Sequence, residues 1–482
     1  MISQIALEIR TWQRIVNFML KIAVVGNGSL GLMAAIELRR NLPGAEISVI
    51  GPADRKFAAS TAAGAMANVY AEMEHTSGYL AEINERYLEM GKIGSHRWLD
   101  FLGDTGGSHC ISSKDTFVYL QKNTSSFEEL NFQAVVKYAR ADKVLQELSK
   151  SDIDSIFPLR AKQNIQSAIK LIGEFSLSVF DLFSHLDSLA RAIGINFIDS
   201  KVNSINSSEM VIHTKYGSLR FDRIVVTAGA HSKVVLNNPS MLTLFQGVGV
   251  AMLINAVRNL EMDKLRKGVF RSVNRGGAQC GIHLVPREDG KFYLGAGNYV
   301  STIQEPTIRL DTIRYLLSTL ENDLVGRECA YELTGEFKLG LRPRSLDGFP
   351  MIGPLTTNPS IFVATGTNRA GLTWAPFISM EIVSWIRESE ASQLIKGWEP
   401  ERAPIPFGSR EDGVNYFIQS RISNSFEHGL MDRKCADEDL ASKTDEFNKS
   451  ANLLADQVSR NLGLNSLVTV NPDNWAAIAT SA

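Results

Sequence analysis

A glycine-rich turn close to the start of the chain offers the clearest chemistry in the sequence. It reads Gly26, Asn27, Gly28, Ser29, Leu30 and Gly31. With this spacing, the first glycine permits a tight turn, the second lets the backbone approach a pyrophosphate, and the third packs a helix against a strand. The free N–H groups at the helix start would then face the phosphates. The turn therefore predicts a dinucleotide-binding site.

The carboxylate that binds the adenosine ribose is expected about twenty residues after such a turn. Here Gly51 and Pro52 occupy that position, and Asp54 is the nearest carboxylate. We expect Asp54 to make the ribose contact.

Two arginines in glycine-containing segments are candidates for binding an acidic group. Arg342 follows Gly340 and precedes Pro343, which predicts a fixed fork of donors that matches a planar carboxylate. The alternative for Arg342 is an ion pair at the end of a sheet. Arg369 lies within 366–371, just before an apolar run, and this loop predicts a helix N-terminus that stabilises negative charge. Arg369 either orients a substrate or braces its loop.

Composition excludes several functional classes. Lys and Arg number 50 and Asp and Glu 52, which gives a net charge of −2 and argues against a nucleic-acid partner. No metal-ligand spacing, Walker loop or G-x-S-x-G turn is found in the sequence, so no metal site is predicted. The four cysteines are widely spaced, which favours a reducing compartment. With neither a signal peptide nor a transmembrane segment predicted, we expect a cytoplasmic protein.

The order of predicted elements indicates an α/β protein. A strand, a helix and a second strand over 22–50 form a βαβ unit, which favours a doubly wound parallel sheet. Residues 75–150 are predicted to be mainly helical, and 194–235 to return strands to the first sheet. The stretch 245–335 alternates strands with a helix over 308–322, so we assign it to a second, mixed or antiparallel sheet on the substrate side.

Four segments beyond the first turn complete a family pattern. They are the small-residue stretch Ser60–Met66, the segment Val225–Ser232, the segment Gly340–Gly353 and the loop Gly366–Gly371. Together with the glycine turn, they resemble the FAD-dependent oxidoreductases of the D-amino-acid oxidase family, and most closely its glycine oxidase branch. The resemblance covers about residues 21–390 and is far more specific for the family than for a substrate.

The resemblance implies FAD as the cofactor. The glycine turn would hold the pyrophosphate, Ser60–Met66 would lie beneath the isoalloxazine, Val202 would contact the adenine, and Arg342 would bind the substrate carboxylate over the ring. The residues expected to bind FAD are Gly26, Gly28, Ser29, Leu30, Gly31, Asp54, Ser60, Thr61, Ala63, Gly64, Met66, Val202, Ala228, Gly229, Gly340, Arg342, Asn368, Arg369, Ala370, Gly371, Leu372 and Thr373. Because no cysteine lies close to Arg342 in the sequence, we expect non-covalent binding.

Two positions depart from the glycine oxidase pattern. His283 stands where that branch has a tyrosine that helps to hold the substrate carboxylate, and Thr367 stands where many relatives have a histidine. An imidazole is shorter than a phenol and titrates near neutral pH. We assign Arg342, Arg369 and His283 to the substrate side, and glycine does not follow as the substrate. The alternative for His283 is a histidine of the sheet whose hydrogen bonds are satisfied.

The resemblance also guides the domain assignment. The predicted units are an N-terminal amphipathic helix over 1–20, an FAD-binding domain over 21–74, 140–240 and 336–395, a substrate domain over 75–139 and 241–335, and a C-terminal extension over 396–482. Met19 is an alternative start of translation. In the extension, apolar residues at helical spacing from Leu440 to Leu462 end at Gly463 and predict a helix that docks either on the protein itself or on a partner.

These observations predict an enzyme that oxidises the carbon–nitrogen bond of an amino acid or related amine to an imine, by hydride transfer to flavin N5. Oxygen or a quinone would accept the electrons. One alternative is a larger secondary amine or biosynthetic intermediate as the substrate. Another is a flavin-binding maturation or scaffold partner that works through its C-terminal extension. The sequence does not decide whether the protein is a homo-oligomer.

Overall fold

The computed structural model describes residues 20–76, 79–122, 124–256, 260–275, 280–287, 290–302, 307–427, 437–465 and 467–480. The predicted N-terminal helix over 1–20 lies outside these residues, except for Leu20. No helix within them is both long and apolar enough to cross a membrane.

The elements are numbered in chain order. The strands are β1 (Lys21–Val25), β2 (Glu46–Ile50), β3 (Ile111–Gln121), β4 (Leu145–Glu147), β5 (Ile165–Leu177), β6 (Asn196–Ile198), β7 (Val202–Asn206), β8 (Val211–Thr214), β9 (Gly217–Arg220), β10 (Arg223–Val226), β11 (Leu244–Asn255), β12 (Val269–Ser272), β13 (His283–Pro286), β14 (Lys291–Ser301), β15 (Thr334–Ser345), β16 (Met351–Pro354), β17 (Ile361–Thr365), β18 (Gly408–Ser409) and β19 (Val468–Thr469). The helices are α1 (Ser29–Asn41), α2 (Tyr79–Asp104), α3 (Ser126–Ala141), α4 (Lys150–Ile156), α5 (Leu159–Asn164), α6 (Val179–Ala192), α7 (Ser232–Leu236), α8 (Leu260–Asp263), α9 (Leu310–Thr319), α10 (Arg327–Tyr331), α11 (Gly371–Ile386), α12 (Arg410–Glu427), α13 (Asp437–Leu462) and α14 (Trp475–Thr480).

The first sheet is the predicted doubly wound one. In the described part of the chain its strand order is β16-β17-β10-β1-β2-β6, and every pairing is parallel except that of β16 with β17. The run 22–25 in β1 is buried, as expected for a central parallel strand covered on both faces. Helices α1, α2, α6 and α11 contribute to the same apolar core as one face of this sheet. The βαβ prediction over 22–50 is confirmed.

The second sheet is larger and lies on the predicted substrate side. Among the described residues its order is β15-β11-β14-β13-β12-β3-β5-β4, and all of its pairs are antiparallel except β12 with β3. The prediction of a mixed or antiparallel sheet within 245–335 is confirmed.

Some strands of this second sheet come from ranges that the sequence assigned elsewhere. Strand β3 interrupts the predicted helical region 75–150, and β4 and β5 lie within 140–240, which we assigned to the cofactor domain. Strand β15 begins just before 336, yet it pairs with β11 along its whole length. Strand patterns show that a segment is extended, but the sheet that it joins depends on contacts between distant residues.

The C-terminal extension, called here the C-terminal module (residues 396–482), packs against the rest of the molecule. Helix α13 ends at Leu462, and Gly463 follows with φ +60°, as the sequence predicts. One face of α13 is buried through Ala451, Ala455 and Val458. These residues join Trp475 and strand residues of the first sheet in one apolar core. The docking surface of the predicted helix is therefore the protein itself.

Candidate FAD and substrate site

A cavity of about 790 Å³ lies between the carboxyl edge of the first sheet and the inner strands of the second. This volume is in the upper part of the roughly 300–1,000 Å³ typical of ligand sites. All but two of the residues assigned to FAD or substrate line it; Gly31 and Thr61 do not. The Thr61 hydroxyl instead donates to the Ala58 carbonyl oxygen at 3.1 Å.

The glycine turn at the end of β1 forms one end of the cavity. Gly26 has φ +116°, and a Cβ on it would lie 2.5 Å from the Thr227 carbonyl oxygen. A Cβ on Gly31 would lie 1.9 Å from the Gly26 carbonyl oxygen, so Gly31 packs α1 against the turn, as predicted. The N-cap residue Gly28 offers α1 no side chain, and the first turn holds no acidic residue. The Ser60 hydroxyl accepts from the Ser29 N–H at 3.3 Å, and the other N–H groups of this first turn can bind a phosphate.

The predicted ribose end is more open. Asp54 is exposed and lines the cavity, and one of its oxygens accepts a hydrogen bond from the Lys56 N–H at 3.2 Å. A Cβ on Gly51 would lie 2.7 Å from the Asn27 side chain. The turn therefore leaves no room for a carboxylate at position 51, and the loop after β2 supplies the nearest one.

The small-residue stretch Ser60–Met66 is held in place by the β13–β14 hairpin. The Tyr293 hydroxyl donates to the Ala62 carbonyl oxygen at 2.8 Å, and Arg287 donates to the Gly64 carbonyl oxygen at 2.9 Å. Burial lowers the pKa of Arg287 to about 10 and raises that of Tyr293 to about 12. Both side chains thus keep their donors at neutral pH. Nothing in the local sequence of either residue indicates this role, because it depends on contacts with a distant segment.

Arg342 lies in the cavity wall on β15. Gly249 on β11 gives it room, since a Cβ there would lie 2.8 Å from an Nη atom of Arg342. The Arg342 guanidinium donates to the Asn298 side-chain oxygen. Among the described residues, no carboxylate forms an ion pair with Arg342. The sheet-end ion pair that the sequence left open is therefore not the arrangement found.

Arg369 has the opposite surroundings. Its Nε lies 3.3 Å from a Glu72 oxygen and one Nη lies 3.0 Å from a Glu74 oxygen. Burial opposes ionisation of Glu72, but Arg271 and Arg369 outweigh it and lower the pKa of Glu72 to about 2. Burial raises the pKa of Glu74, and Arg369 only partly offsets that effect. These contacts support the bracing role of Arg369.

Arg369 also keeps one donor for the cavity. Its buried Nη1 atom has no hydrogen-bond partner among the described residues. The same loop is tied to the Arg342 segment, because the Asn368 N–H donates to the Pro343 carbonyl oxygen at 2.9 Å. Helix α11 begins directly after this loop and has no side-chain cap. Its N-terminus therefore offers free N–H groups close to Arg342.

His283 is buried in the wall beside the small-residue stretch. Its ring stacks on Tyr293 with centroids 5.7 Å apart, and its Nδ1 lies 3.1 Å from the Gly281 carbonyl oxygen. A Cβ on Gly64 would lie 3.2 Å from its Nε2. Thr367, the second departure from the family pattern, is also buried and lines the cavity. Both departures therefore alter the site itself and not a distant surface.

The fold also brings together residues that sequence analysis did not connect. Asn298 donates from its Nδ2 atom to the Cys280 sulfur at 3.1 Å while its oxygen accepts from Arg342. Cys280 thus lies near Arg342 in space although the two are far apart in the sequence. Glu72 and Glu74 were missed for the same reason. No local signal marks any of these residues, since each acts through a partner on another element.

The residues present fit a dinucleotide that carries a planar ring. A glycine cradle that side chains would fill meets the N-terminus of α1, and the same cavity is lined by the N-terminus of α11 and by two guanidinium groups. Phosphates favour the first helix end, and negative charge on a reduced ring favours the second.

Comparisons with known proteins agree with this geometry. Residues 21–385 match the family model DAO, described as FAD dependent oxidoreductase. An uncharacterised oxidoreductase of Bacillus subtilis (strain 168), YurR, is 21% identical over 392 residues, which cover 79% of this chain and 98% of that protein.

Two solved structures have the same fold. Glycine oxidase from Geobacillus kaustophilus superposes with a TM-score of 0.65 at 18% identity and covers 80% of this chain and 99% of its own. Iminodiacetate oxidase from Chelativorans sp. BNC1 has a TM-score of 0.65 at 16% identity and covers 80% and 100%. At these identities the likeness concerns the fold.

Proposed function

Because the chain belongs to the DAO family of FAD-dependent oxidoreductases, we propose that it oxidises the carbon–nitrogen bond of an amino acid or a related carboxylate-bearing amine. The observation that carries the proposal concerns the partners of the Arg342 guanidinium. Its guanidinium lines the cavity without a carboxylate partner among the described residues, whereas Arg369 has two. A planar carboxylate is the natural ligand for a fork of donors that lacks a carboxylate partner.

Bound FAD would supply the ring that accepts a hydride from the substrate carbon. The chain's own residues hold and orient the reactants. The turn at Gly28 and the start of α1 bind the pyrophosphate, Arg342 fixes the carboxylate, and the loop 366–371 leads into α11. Positioning of this kind can account for much of the rate enhancement without a general base.

The substrate class follows from the site and agrees with the fold relatives. A solved glycine oxidase and a solved iminodiacetate oxidase both have this fold, and the substrates in both names are carboxylate-bearing amines. His283 and Thr367 line the cavity in this chain, and they set its shape and polarity. We therefore propose a small amino acid or N-substituted amino acid as the substrate, without choosing among them.

The scaffold alternative is less favoured by the structure. The apolar face of α13 is buried against Trp475 and the first sheet. In the described part of the module, this face therefore belongs to the protein's own core. Among the described residues, none from the C-terminal module lines the cavity. We accordingly propose an enzyme, with oxygen or a quinone as the electron acceptor.

The decisive experiment is anaerobic reduction of the flavin in the purified holoprotein. The oxidised-flavin absorbance would be followed with glycine, sarcosine, D- and L-alanine, D- and L-proline and simple amines that lack a carboxylate. We expect at least one carboxylate-bearing amine to bleach the wild type. Arg342→Ala should keep its FAD and lose this reaction, while Arg410→Ala, outside the cavity, should retain it. Bleaching by amines without a carboxylate, undiminished in Arg342→Ala, would overturn the proposal.

A further inference from the structure

Asn298 connects Arg342 with a cysteine. Its oxygen accepts from the Arg342 guanidinium, which fixes the orientation of the amide and points its Nδ2 toward the Cys280 sulfur at 3.1 Å. The same Nδ2 also lies 3.3 Å from the Ala296 carbonyl oxygen. A charge-assisted hydrogen bond to the amide thus leaves Cys280 with a fixed donor. Cys280 is 3% exposed and lines the cavity.

The charged and titratable groups around Cys280 come from four places in the fold. His283 lies on β13, Tyr293 on β14, Arg342 on β15 and Arg369 in the loop before α11. Burial would raise the pKa of the thiol. The hydrogen bond from His283 and the positive charges of Arg342 and Arg369 outweigh burial and lower the pKa of Cys280 to about 5. At neutral pH the sulfur is therefore anionic.

The position of this anion matches the geometry of an amino acid. Arg342 and Cys280 line the same cavity and are bridged by a single amide group, that of Asn298. In an α-amino acid, the carboxylate and the amino group are attached to adjacent carbons. An α-amino acid whose carboxylate binds Arg342 can therefore reach the sulfur with its amino group. The amino group has N–H donors, and the thiolate is an acceptor without a proton of its own.

We propose that the Cys280 sulfur binds the substrate's amino group, held by Asn298 and His283 beside the guanidinium that binds the carboxylate. This inference rests on the proposed function, and it assigns the second end of the substrate. The Arg342–Asn298–Cys280 group then recognises the two charges of an amino acid together. A carboxylic acid without an amino group would meet only the guanidinium.

The test compares ligands with and without the amino group in the holoenzyme. The KM for the amino acid that reduces the flavin would be measured in the wild type, Cys280→Ala and Cys280→Ser. In parallel, the Kd of the matching acid without nitrogen (acetate, propionate or cyclopentanecarboxylate) would be read from the flavin spectrum. We expect Cys280→Ala to raise KM about tenfold to hundredfold, the size of one hydrogen bond to a charged group. The Kd of the plain acid should stay within about twofold, and Cys280→Ser should lie in between, because a hydroxyl keeps an acceptor without the charge.

A second readout does not depend on turnover. Alkylation of the holoenzyme by iodoacetamide, resolved by site in a mass spectrometer, should reach its full rate at Cys280 near neutral pH, since the thiolate is the reactive form. Cys329, which does not line the cavity, serves as the internal reference, and Cys329→Ser as the matched variant with unchanged KM. The amino acid should protect Cys280 more than the plain acid does.

The possible failures are distinguishable. If no amine reduces the wild-type flavin, the proposed function fails and this inference fails with it. If the wild type is reduced but Cys280→Ala keeps its KM and its preference for the amino group, only the role of Cys280 is overturned. A Cys280→Ala variant that binds the plain acid more tightly, with an unchanged KM for the amino acid, would make Cys280 a counter-ion of Arg342 and not a substrate ligand.

Discussion

Arg344 on β15 and Asp473 in the C-terminal module form a buried ion pair with a nitrogen–oxygen distance of 3.0 Å. Asn474 adds an acceptor for the Arg344 Nε at 2.6 Å and donates to two carbonyl oxygens at the end of β15. Arg342 is only two residues away on the same strand. The module thus fixes the end of the strand whose guanidinium lines the cavity.

Removing one partner of this pair should destabilise the whole protein. Asp473→Ala leaves the Arg344 charge buried without its carboxylate, which typically costs about 3–5 kcal/mol. Asp456→Ala breaks the more exposed Arg410–Asp456 pair in the same module and should cost less than about 1 kcal/mol. Urea unfolding of both variants measures the difference. Equal losses would show that the buried pair does not anchor the module.

The role of the glycine turn in binding the cofactor can be tested by adding one methyl group at Gly28. Gly28 has φ −72° and ψ −178°, which alanine adopts freely, and its Cβ would lie 3.2 Å from the movable Ser60 hydroxyl. We expect Gly28→Ala to fold but to bind FAD at least about tenfold more weakly, because the methyl group occupies the phosphate cradle.

The matched control for this change is Gly103→Ala in helix α2. A Cβ there meets nothing within 4 Å, so the variant should keep its FAD and gain up to about 1 kcal/mol of stability. Flavin titration of the apoprotein and thermal unfolding measure the two effects. Undiminished FAD affinity in Gly28→Ala would place the pyrophosphate elsewhere.

Glu174 predicts a pH dependence of stability. Its carboxylate is 3% exposed and accepts three backbone N–H groups from residues 69–71 at 2.9, 2.5 and 3.1 Å. Burial nevertheless raises its pKa from 4.5 to about 7. Since the folded state then holds the proton more tightly than the unfolded state, stability falls as pH rises from 4.5 to about 7.

Glu174→Gln should remove this part of the pH dependence. We expect the free energy of unfolding of the wild type to fall by on the order of 1–3 kcal/mol between about pH 5 and pH 8, and that of the variant to fall less. Glu401→Gln is the control, because the pKa of Glu401 is lowered to about 2 and both pH values lie above its titration range. A wild type and a Glu174→Gln variant with parallel pH profiles would contradict the assignment.

Non-covalent attachment of FAD remains a prediction with a direct test. The sequence offers no cysteine near Arg342, but the fold brings Cys280 to it through Asn298. We expect acid precipitation to release all the flavin and the denatured chain to keep the mass of its sequence, 53.1 kDa. A flavin-bearing peptide that contains Cys280 would contradict both this prediction and the binding of the amino group by a free thiolate.

The parts of the fold that were predictable are those that short stretches of sequence encode. Gly26, Gly28 and Gly31 follow a buried strand and precede a helix, so their roles could be stated before the structure was known. The helix that ends at Leu462 was predictable in the same way, because its apolar spacing and Gly463 lie within a few turns of each other. At these places, the local sequence alone determines the local backbone geometry.

The rest depends on contacts between distant segments. The sequence indicated Arg342 as the carboxylate ligand but left Arg369 between orienting a substrate and bracing its loop, and its contacts with the glutamates at 72 and 74 are what support the bracing role. Cys280 and Asn298 belong to no sequence motif. Their proximity to Arg342 arises only in the folded second sheet, where β14 and β15 lie on either side of β11. The sheet to which β5 belongs was equally hidden, since alternating residues show an extended segment but not its partner.

The interleaving of the two sheets has a consequence for synthesis on the ribosome. Strand β1 emerges among the first described residues, yet its neighbour β10 follows about two hundred residues later and β17 later still. The second sheet is likewise incomplete until β15, the partner of β11, has been synthesised. Because the edge of β1 that pairs with β10 stays open until β10 emerges, the nascent chain exposes it for many seconds at about 5–20 residues per second. Chaperone capture during translation is therefore expected to determine the yield of this protein, and slower elongation after β10 would lower it.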